Sequence, residues 1–282
     1  MFVSLALLLV QVHAQVQCSA SNQSPIDIAP PFSYQSLDLQ FYLGYQDTAF
    51  LYHDGTTVKL DGDFGGLRYR DSFFQTSELN FWSPSAHLVG GQRFPLEMQV
   101  RMEDQFGNLA MLVVVFANST RSTFLDSLGF GNPRLRDAPV NTLFQAAEAV
   151  DLLELLGAPT QLISYEGSTT VGNCLANVTY FILSDTFKVS EDQVANFPLQ
   201  ARNKAKALQA LGGRTIYTNF WLNELRNGPA ESVTGPTVGP IESVRLGQTT
   251  KALNDEFIVE SDWLRNDFPT DYTTYSSFLQ SN

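Results

Sequence analysis

The sequence predicts a mainly β protein with a few helices beside its strands. Aromatic residues make up 12% of the chain, including 21 Phe, which favours a β-rich interior. Between Leu37 and Val115 several short runs alternate polar with apolar residues, a period typical of strands. The 282 residues are 44% hydrophobic and 16% charged, which is enough apolar material for a sizeable core.

Individual segments support this fold class in chain order. "LNFWSPSAHLVGGQRFPLEMQV", residues 79–100, predicts two strands joined by a turn. Further strands are predicted from "LDLQFYL", "TTVKLDG", the continuous apolar run "LAMLVVVFA" and "NVTYFILSDTFKVS". Helices are predicted from "STRSTFLDSLGF", from "NTLFQAAEAVDLLELLGAP" with a stop at Gly157 and Pro159, and from "SEDQVANF" with Ser190 as its N-cap.

Charge and hydropathy exclude two classes of partner. The formal charge of −12 and the pI near 4.6 argue against a sequence-independent grip on nucleic acid, which needs clustered Lys and Arg. The apolar run Phe2–Val12, followed by "VHA", predicts a signal peptide over residues 1–14; a short membrane anchor or a buried strand is the alternative. About 11 apolar residues are too few to cross a bilayer, which takes about 20. We therefore expect a secreted mature chain, in the extracellular space or the lumen of the secretory route, without a membrane span.

Two cysteines and two glycosylation sequons fit that route. An even cysteine count behind a signal peptide suggests one disulfide between Cys18 and Cys174; two buried free thiols are the alternative. The triplets "NST" and "NVT" make Asn118 and Asn177 candidate glycosylation sites.

Composition changes after residue 226. Residues 227–240, "NGPAESVTGPTVGP", contain three Gly-Pro pairs and predict a linker. Residues 241–282 form an acidic extension that is rich in aromatic residues, unlike a purely disordered tail. It would dock on a protein partner or fold back on its own domain. The aromatic residues of this extension are Phe257, Trp263, Phe268, Tyr272, Tyr275 and Phe278.

Four motifs in fixed order carry a family resemblance. They are "NQSPIDI" (22–28), "SPSAHLVGGQRFPLEMQV" (83–100), "YEGSTTVGNC" (165–174) and "GGRTIY" (212–217). Together they resemble the α-carbonic anhydrases, in the plant, algal and bacterial style, from roughly Cys18 to Phe220. The resemblance implies a large, twisted, mostly antiparallel sheet with peripheral helices over residues 15–226. It also implies a conical pocket ending at zinc, and a disulfide at the positions of the two cysteines.

The zinc-binding residues of that family are missing here. The family pattern is His-x-His-Ser-Pro-Ser-Glu-His followed by Glu-(Leu/Met)-His, whereas this chain has "NFWSPSAH" and "EMQ". The three histidine positions therefore hold Asn80, Trp82 and Gln99. Zinc needs imidazole, thiolate or carboxylate ligands. With His13 in the predicted leader, His53 and His87 cannot supply three imidazoles, so the sequence predicts no metal and no cofactor.

The surroundings of the predicted pocket are changed as well. By resemblance, Ala86 replaces the glutamate that orients the family's gatekeeper hydroxyl, and Thr56 replaces the proton-shuttling histidine. Thr170 keeps the gatekeeper hydroxyl, with Val171 next to it, while Glu97 stands where the family's glutamate binds the third zinc-bound histidine. His87 corresponds to a structural histidine, so we expect it to be a hydrogen-bonded core residue.

Arg101 replaces an apolar pocket residue of the family. Residues two apart on a strand share a face, so Glu97, Gln99 and Arg101 are predicted to point the same way. We hypothesise that Arg101 and either Glu97 or Gln99 form a polar plug where zinc would sit, with Trp82 filling the volume beside it. The alternative is an arginine on a solvated strand face.

These observations predict a secreted, catalytically inactive carbonic anhydrase-like protein that acts as a structural or binding subunit of a larger assembly. We expect its C-terminal extension to bind the protein partners. One alternative is a ligand- or glycan-binding module that uses the vacated cone. Another is a residual carbonate dehydratase with an atypical metal site, which would need Glu97, Gln99 and His87 to converge on a metal.

Overall fold

Long strands from the middle of the chain dominate the structure. This computed structural model describes residues 21–157, 161–172 and 174–220, all within one compact unit. The predicted leader, Cys18, the linker and the C-terminal extension lie outside the described residues. None of the described helices is long and apolar enough to span a membrane.

The strands follow one another along most of this region. Their bounds are β1 Asp27–Ile28, β2 Phe32–Tyr34, β3 Leu39–Leu43, β4 Tyr45–Gln46, β5 Phe50–His53, β6 Val58–Asp61, β7 Gly65–Tyr69, β8 Ser72–Trp82, β9 Leu88–Val89, β10 Leu96–Glu103, β11 Leu109–Asn118, β12 Phe144–Gln145, β13 Val150–Asp151, β14 Leu162–Ser168, β15 Ala176–Val189 and β16 Ile216–Thr218. The helices are α1 Thr123–Ser127, α2 Leu152–Leu156 and α3 Glu191–Ala195, with short 3-10 turns at Pro133–Leu135 and Leu199–Ala201.

Twelve of these strands form one mixed sheet in the order β12-β5-β6-β8-β10-β11-β15-β14-β16-β2, with β7 pairing both β8 and β3. Only the pairs β11–β15 and β16–β2 of this sheet run parallel. The predicted mainly β fold, with a mostly antiparallel sheet and short helices, is confirmed. The six strands predicted from five segments correspond to β3, β6, β8, β10, β11 and β15 of this sheet. The connection between β8 and β10, predicted as a turn, also contains β9, which pairs with β1 outside this sheet.

The two faces of the sheet bury different sets of side chains. Along β10, Met98, Val100 and Met102 point into the main hydrophobic core, so Glu97 and Gln99 point to the opposite face. Leu79 and Phe81 of β8 join the same core. We call the face with the main core the core face, and the face that carries Asn80, Trp82, Glu97 and Gln99 the site face. A smaller core of aliphatic and tyrosine side chains lies on the site face.

One predicted helix is mostly wrong. Within residues 141–159, predicted as a single helix, the chain forms β12 and β13, and only Leu152–Leu156 is helical. The Ala146 N–H donates to the Ala49 carbonyl at 2.8 Å, because this segment covers the outer edge of β5. Tertiary pairing therefore overrides the helix propensity of its Ala, Gln and Glu residues. The predicted stop is confirmed, since Gly157 ends α2 with a φ of +60°.

The other two predicted helices are confirmed in shorter form. Ser122 caps α1, and its hydroxyl accepts the Leu125 N–H at 3.3 Å. Ser190 and Gln193 form a reciprocal capping box at the start of α3. Both helices are only five residues long, so packing rather than propensity holds them.

Candidate functional site

Strand register brings together the three residues that the family resemblance places at the zinc-ligand positions. Strands β8 and β10 are antiparallel, with Asn80 opposite Gln99 and Trp82 opposite Glu97. Directly opposite residues of an antiparallel pair share a face. These four side chains are therefore neighbours on the site face, as the predicted strand pair requires.

Both ends of the Gln99 amide are engaged by protein groups. Its Nε2 donates to Glu97 Oε1 at 2.6 Å, and its Oε1 accepts the Thr170 hydroxyl at 2.6 Å. The carboxylate can only accept and the hydroxyl here donates, so these two contacts fix the orientation of the amide. Gln99 is 1% exposed. It therefore serves as a buried hydrogen-bond link between Glu97 and the predicted gatekeeper Thr170.

Glu97 is the centre of a buried hydrogen-bond chain. Its carboxylate accepts the backbone N–H of His87 at 2.8 Å and lies 2.9 Å from His87 Nδ1. Burial alone would raise the pKa of Glu97. The positive charge that the His87 ring can carry and the N–H donors of His87 and Gln99 outweigh burial and lower that pKa below its usual value. The prediction that His87 is a hydrogen-bonded core residue is confirmed.

The chain continues beyond His87 into the smaller core. His87 Nε2 lies 2.7 Å from the Tyr165 hydroxyl, which lies 2.8 Å from Ser24 Oγ. Ser24 Oγ in turn accepts the Ser168 N–H at 3.2 Å. Tyr165 stacks on Tyr180 with ring centroids 4.7 Å apart. The motifs around Ser24, His87, Glu97 and Tyr165, which lie far apart in sequence, thus meet in one network.

Asn80 and Trp82 close the site face beside this network. Each side chain is about 1% exposed. Asn80 Nδ2 donates to Glu78 Oε1 at 2.6 Å, but Asn80 Oδ1 and Trp82 Nε1 have no hydrogen-bond partner among the described residues. Both atoms are enclosed by protein, so Trp82 fills volume as predicted and leaves its indole N–H unpaired.

Arg101 corrects the predicted plug. It follows Gln99 on the site face, but its guanidinium donates to Glu103 at 2.9 Å and to the Ser77 hydroxyl at 3.0 Å. Its side chain is 26% exposed. The predicted plug formed by Arg101 with Glu97 or Gln99 is therefore wrong, because Glu103 and Ser77 draw the guanidinium toward the rim. Gln99 itself is the partner of Glu97.

A lysine that no sequence motif marks also faces the site. Lys59 lies opposite Asn80 on the neighbouring strand β6, and its ammonium forms ion pairs with Asp54 at 3.3 Å and Glu78 at 3.4 Å. Partial burial would lower the pKa of Lys59, but the two carboxylates raise it. The alternation of "TTVKLDG" places Lys59 on one face, whereas only the register shows that this face is the site face.

The remaining predicted positions lie around this centre. Ala86 and Thr170 are buried, and Val171 is half-buried. Thr56 lies in an exposed loop, where its N–H donates to Asp54 Oδ1 at 2.8 Å. Both sequon residues, Asn118 and Asn177, are exposed. The pairing of Cys174 with Cys18 remains a prediction because Cys18 lies outside the described residues.

Comparison with known proteins agrees with this geometry. The family model for eukaryotic-type carbonic anhydrase matches residues 11–220. The chain belongs to the carbonic anhydrase family. The match spans the whole described region, including the buried network and the three changed positions.

Relatives of this carbonic anhydrase-like chain include proteins of plants and bacteria. It is 24% identical over 233 residues to alpha carbonic anhydrase 3 of Arabidopsis thaliana, covering 79% of this chain and 82% of that protein. It is 28% identical over 205 residues to dioscorin DB3L of Dioscorea polystachya, covering 70% and 75%. Among solved structures, the α-carbonic anhydrase of Photobacterium profundum is 25% identical with a TM-score of 0.63, covering 71% of this chain and 90% of that one.

The residues present do not fit the zinc ion that the family implies. An indole N–H can donate but cannot coordinate, and neutral amides are poor zinc ligands. Gln99 already uses both ends of its amide. Among the residues that the structure describes, no three His, Cys, Asp or Glu side chains are grouped closely enough to hold a metal ion.

Proposed function

We propose that this carbonic anhydrase-like protein has no zinc-hydroxide activity and acts as a structural or binding subunit. The observation that carries the proposal is the fully engaged Gln99 amide, held between Glu97 and Thr170. Hydration of carbon dioxide in this family requires a metal-bound water as the nucleophile. Here an amide, an indole and a second amide stand where three imidazoles would be needed.

The closed site face also favours surface contacts over a ligand at the cone floor. Asn80, Trp82 and Gln99 are each about 1% exposed, so a small molecule would have to displace side chains to reach them. Displacing Trp82 would forfeit its buried apolar area, which is worth about 2–3 kcal/mol for a large side chain. A binding role is therefore better explained by contacts at the protein surface than by a ligand in the vacated cone.

Metal content and hydration rate together test the loss of activity. The purified full chain is incubated with zinc, dialysed and measured by elemental analysis, and carbon dioxide hydration is followed by stopped flow. We expect substoichiometric zinc and a rate equal to the buffer blank. Stoichiometric zinc with a rate abolished by a chelator would overturn the proposal, since it would require a metal site built from other residues. An active α-carbonic anhydrase under the same conditions is the positive control.

The binding role is proposed to use the C-terminal extension, residues 241–282, in a chain that enters the secretory route. Its rings, from Phe257 to Phe278, could be buried on a protein partner while its carboxylates stay hydrated at the rim. Purification from the native source should yield the protein in a complex larger than its own 31.3 kDa. A chain truncated after residue 226 should be monomeric, and a full chain that is also monomeric in the source would contradict this role.

A further inference from the structure

A cleft on the core face lies apart from the site face. It has a volume of about 190 Å³ and is formed between the turn that joins β7 to β8 and the strands β14 and β16. Tyr69 and Arg70 form one side of the cleft, and Ser164, Glu166 and Tyr217 the other. Ser164 lies opposite Phe181 of the main core, so its side chain is on the face away from Gln99. Asn80, Trp82 and Gln99 are not among the residues that line the cleft.

Arg70 occupies a backbone position that favours glycine. It is the first residue of the two-residue connection between Tyr69 and Ser72, and its φ is +55°. A positive φ at this place in a tight hairpin is relaxed for glycine and strained for an arginine. The Arg70 N–H donates to the Asp38 carbonyl at 3.1 Å, which holds the backbone in this conformation.

The Arg70 guanidinium is displayed to the cleft. Its Cζ lies 4.8 Å from the centre of the Tyr69 ring, a cation–π contact that orients the planar group. Among the described residues it has no carboxylate within ion-pair distance, whereas Arg101 and Arg121 each have one. An oriented guanidinium presents a fork of N–H donors that matches a carboxylate.

The opposite side of the cleft offers groups that suit hydroxyls. Glu166 Oε1 accepts the Thr179 hydroxyl at 3.0 Å. None of the residues that the structure describes donates to the other carboxylate oxygen of Glu166. The hydroxyls of Ser164 and Tyr217 can each donate and accept. A second anionic group would be repelled by Glu166, which disfavours phosphate and other multiply charged ligands.

We propose that this cleft binds a hexuronate, a single sugar ring that carries one carboxylate. The carboxylate pairs with Arg70, the ring hydroxyls bond to Glu166 and Ser164, and the apolar face of the ring packs on the tyrosine walls. A volume of about 190 Å³ is smaller than the ~300 Å³ lower bound of pockets for drug-sized ligands, which limits the occupant to one ring. The ring is either a free sugar or the terminal unit of an acidic polysaccharide, since both present the same chemistry.

Titration of the full chain with glucuronate, followed by NMR or calorimetry, tests the proposal. Glucose and acetate are the matched controls, because glucose lacks the carboxylate and acetate lacks the hydroxylated ring. A uronate oligosaccharide in a parallel arm distinguishes a terminal unit of a polymer from a free sugar. We expect saturable glucuronate binding at millimolar concentration and much weaker binding of both controls. No saturation with either form of uronate, or equal binding of acetate, would overturn the assignment.

Arg70→Gly separates binding from folding. Glycine relaxes the turn, so the melting temperature should be unchanged or higher, while glucuronate binding should weaken by about 10- to 100-fold through loss of the charged hydrogen bonds. Arg70→Lys keeps the positive charge but lacks the fork of N–H donors. Its affinity for glucuronate should therefore lie between those of the parent chain and Arg70→Gly. Glucuronate binding that is unchanged in Arg70→Gly would place the sugar elsewhere and refute the proposal.

Discussion

Replacing Glu97 by glutamine should destabilise the fold strongly, although the two side chains have nearly the same shape. The Glu97 carboxylate faces three donors: the backbone N–H and Nδ1 of His87 and the Nε2 of Gln99. A glutamine amide brings an NH₂ group, which must face at least one of them. That contact leaves two buried N–H groups without an acceptor, one on the new amide and the one that it faces, at about 1–3 kcal/mol each. The remaining hydrogen bonds also become weaker, because their acceptor no longer carries a negative charge. We expect a loss of about 3–6 kcal/mol in the free energy of unfolding.

Urea unfolding followed by tryptophan fluorescence measures this loss. Glu103→Gln is the matched control, since it makes the same chemical change on the same strand. The Glu103 side chain is 43% exposed and pairs with Arg101 at the rim, so its replacement should cost less than about 1 kcal/mol. If the two variants lose equal stability, Glu97 does not hold the buried network and the argument for its structural role fails.

The effect of Glu97→Gln should depend on pH in a defined direction. Because the folded-state pKa of Glu97 is lowered, its contribution is fully present above the unfolded value of about 4.3 and is lost as the pH falls through the folded-state pKa. The difference in stability between the parent and Glu97→Gln should therefore be constant from about pH 5 to 7 and shrink below about pH 4. A difference that grows on acidification would contradict the lowered pKa.

Two further predictions concern the changed zinc positions. Restoring imidazoles in the triple variant Asn80→His, Trp82→His, Gln99→His should give one tightly bound zinc per chain by elemental analysis after dialysis, because Glu97 already accepts an N–H from position 99. The double variant Asn80→His, Trp82→His, which keeps Gln99, should not retain zinc. A triple variant that folds but does not bind zinc would show that the scaffold no longer holds the site geometry. Trp82→Phe should change the free energy of unfolding by less than about 1 kcal/mol, since the gain from removing a buried unpaired N–H offsets the loss of some packing. A loss of about 3 kcal/mol in urea unfolding would mean that the indole N–H has a partner.

Much of the sheet could be predicted from local patterns. Apolar runs such as "LAMLVVVFA" and the alternation of "LDLQFYL" predict β11 and β3, because buried strands reveal themselves in side-chain periodicity. The helix cap at Ser190 and the helix stop at Gly157 are likewise local signals that the structure confirms. The failure lies at residues 141–151, where helix-forming residues pair with strand edges that no local pattern reveals.

The side-chain contacts of the site were less predictable. The period of two correctly places Glu97, Gln99 and Arg101 in one row, but it cannot tell how far each side chain lies from the rim. Arg101 turns to Glu103 and Ser77, and Lys59 joins the site because β6 pairs with β8. Such choices depend on which strands are neighbours, and that is decided by contacts between residues far apart in the chain.

The sequence alone predicted that imidazoles are absent from the three positions where the family resemblance places the zinc ligands, because a ligand set is a matter of residue identity at matched motifs. It also determined the strand-rich character of the domain, through side-chain periodicity. Only the tertiary structure decided which contacts these side chains make: register and burial brought Gln99 between Glu97 and Thr170 and left Arg101 at the rim. Hydrogen bonds between distant strands are fixed by packing, and no local pattern encodes their partners.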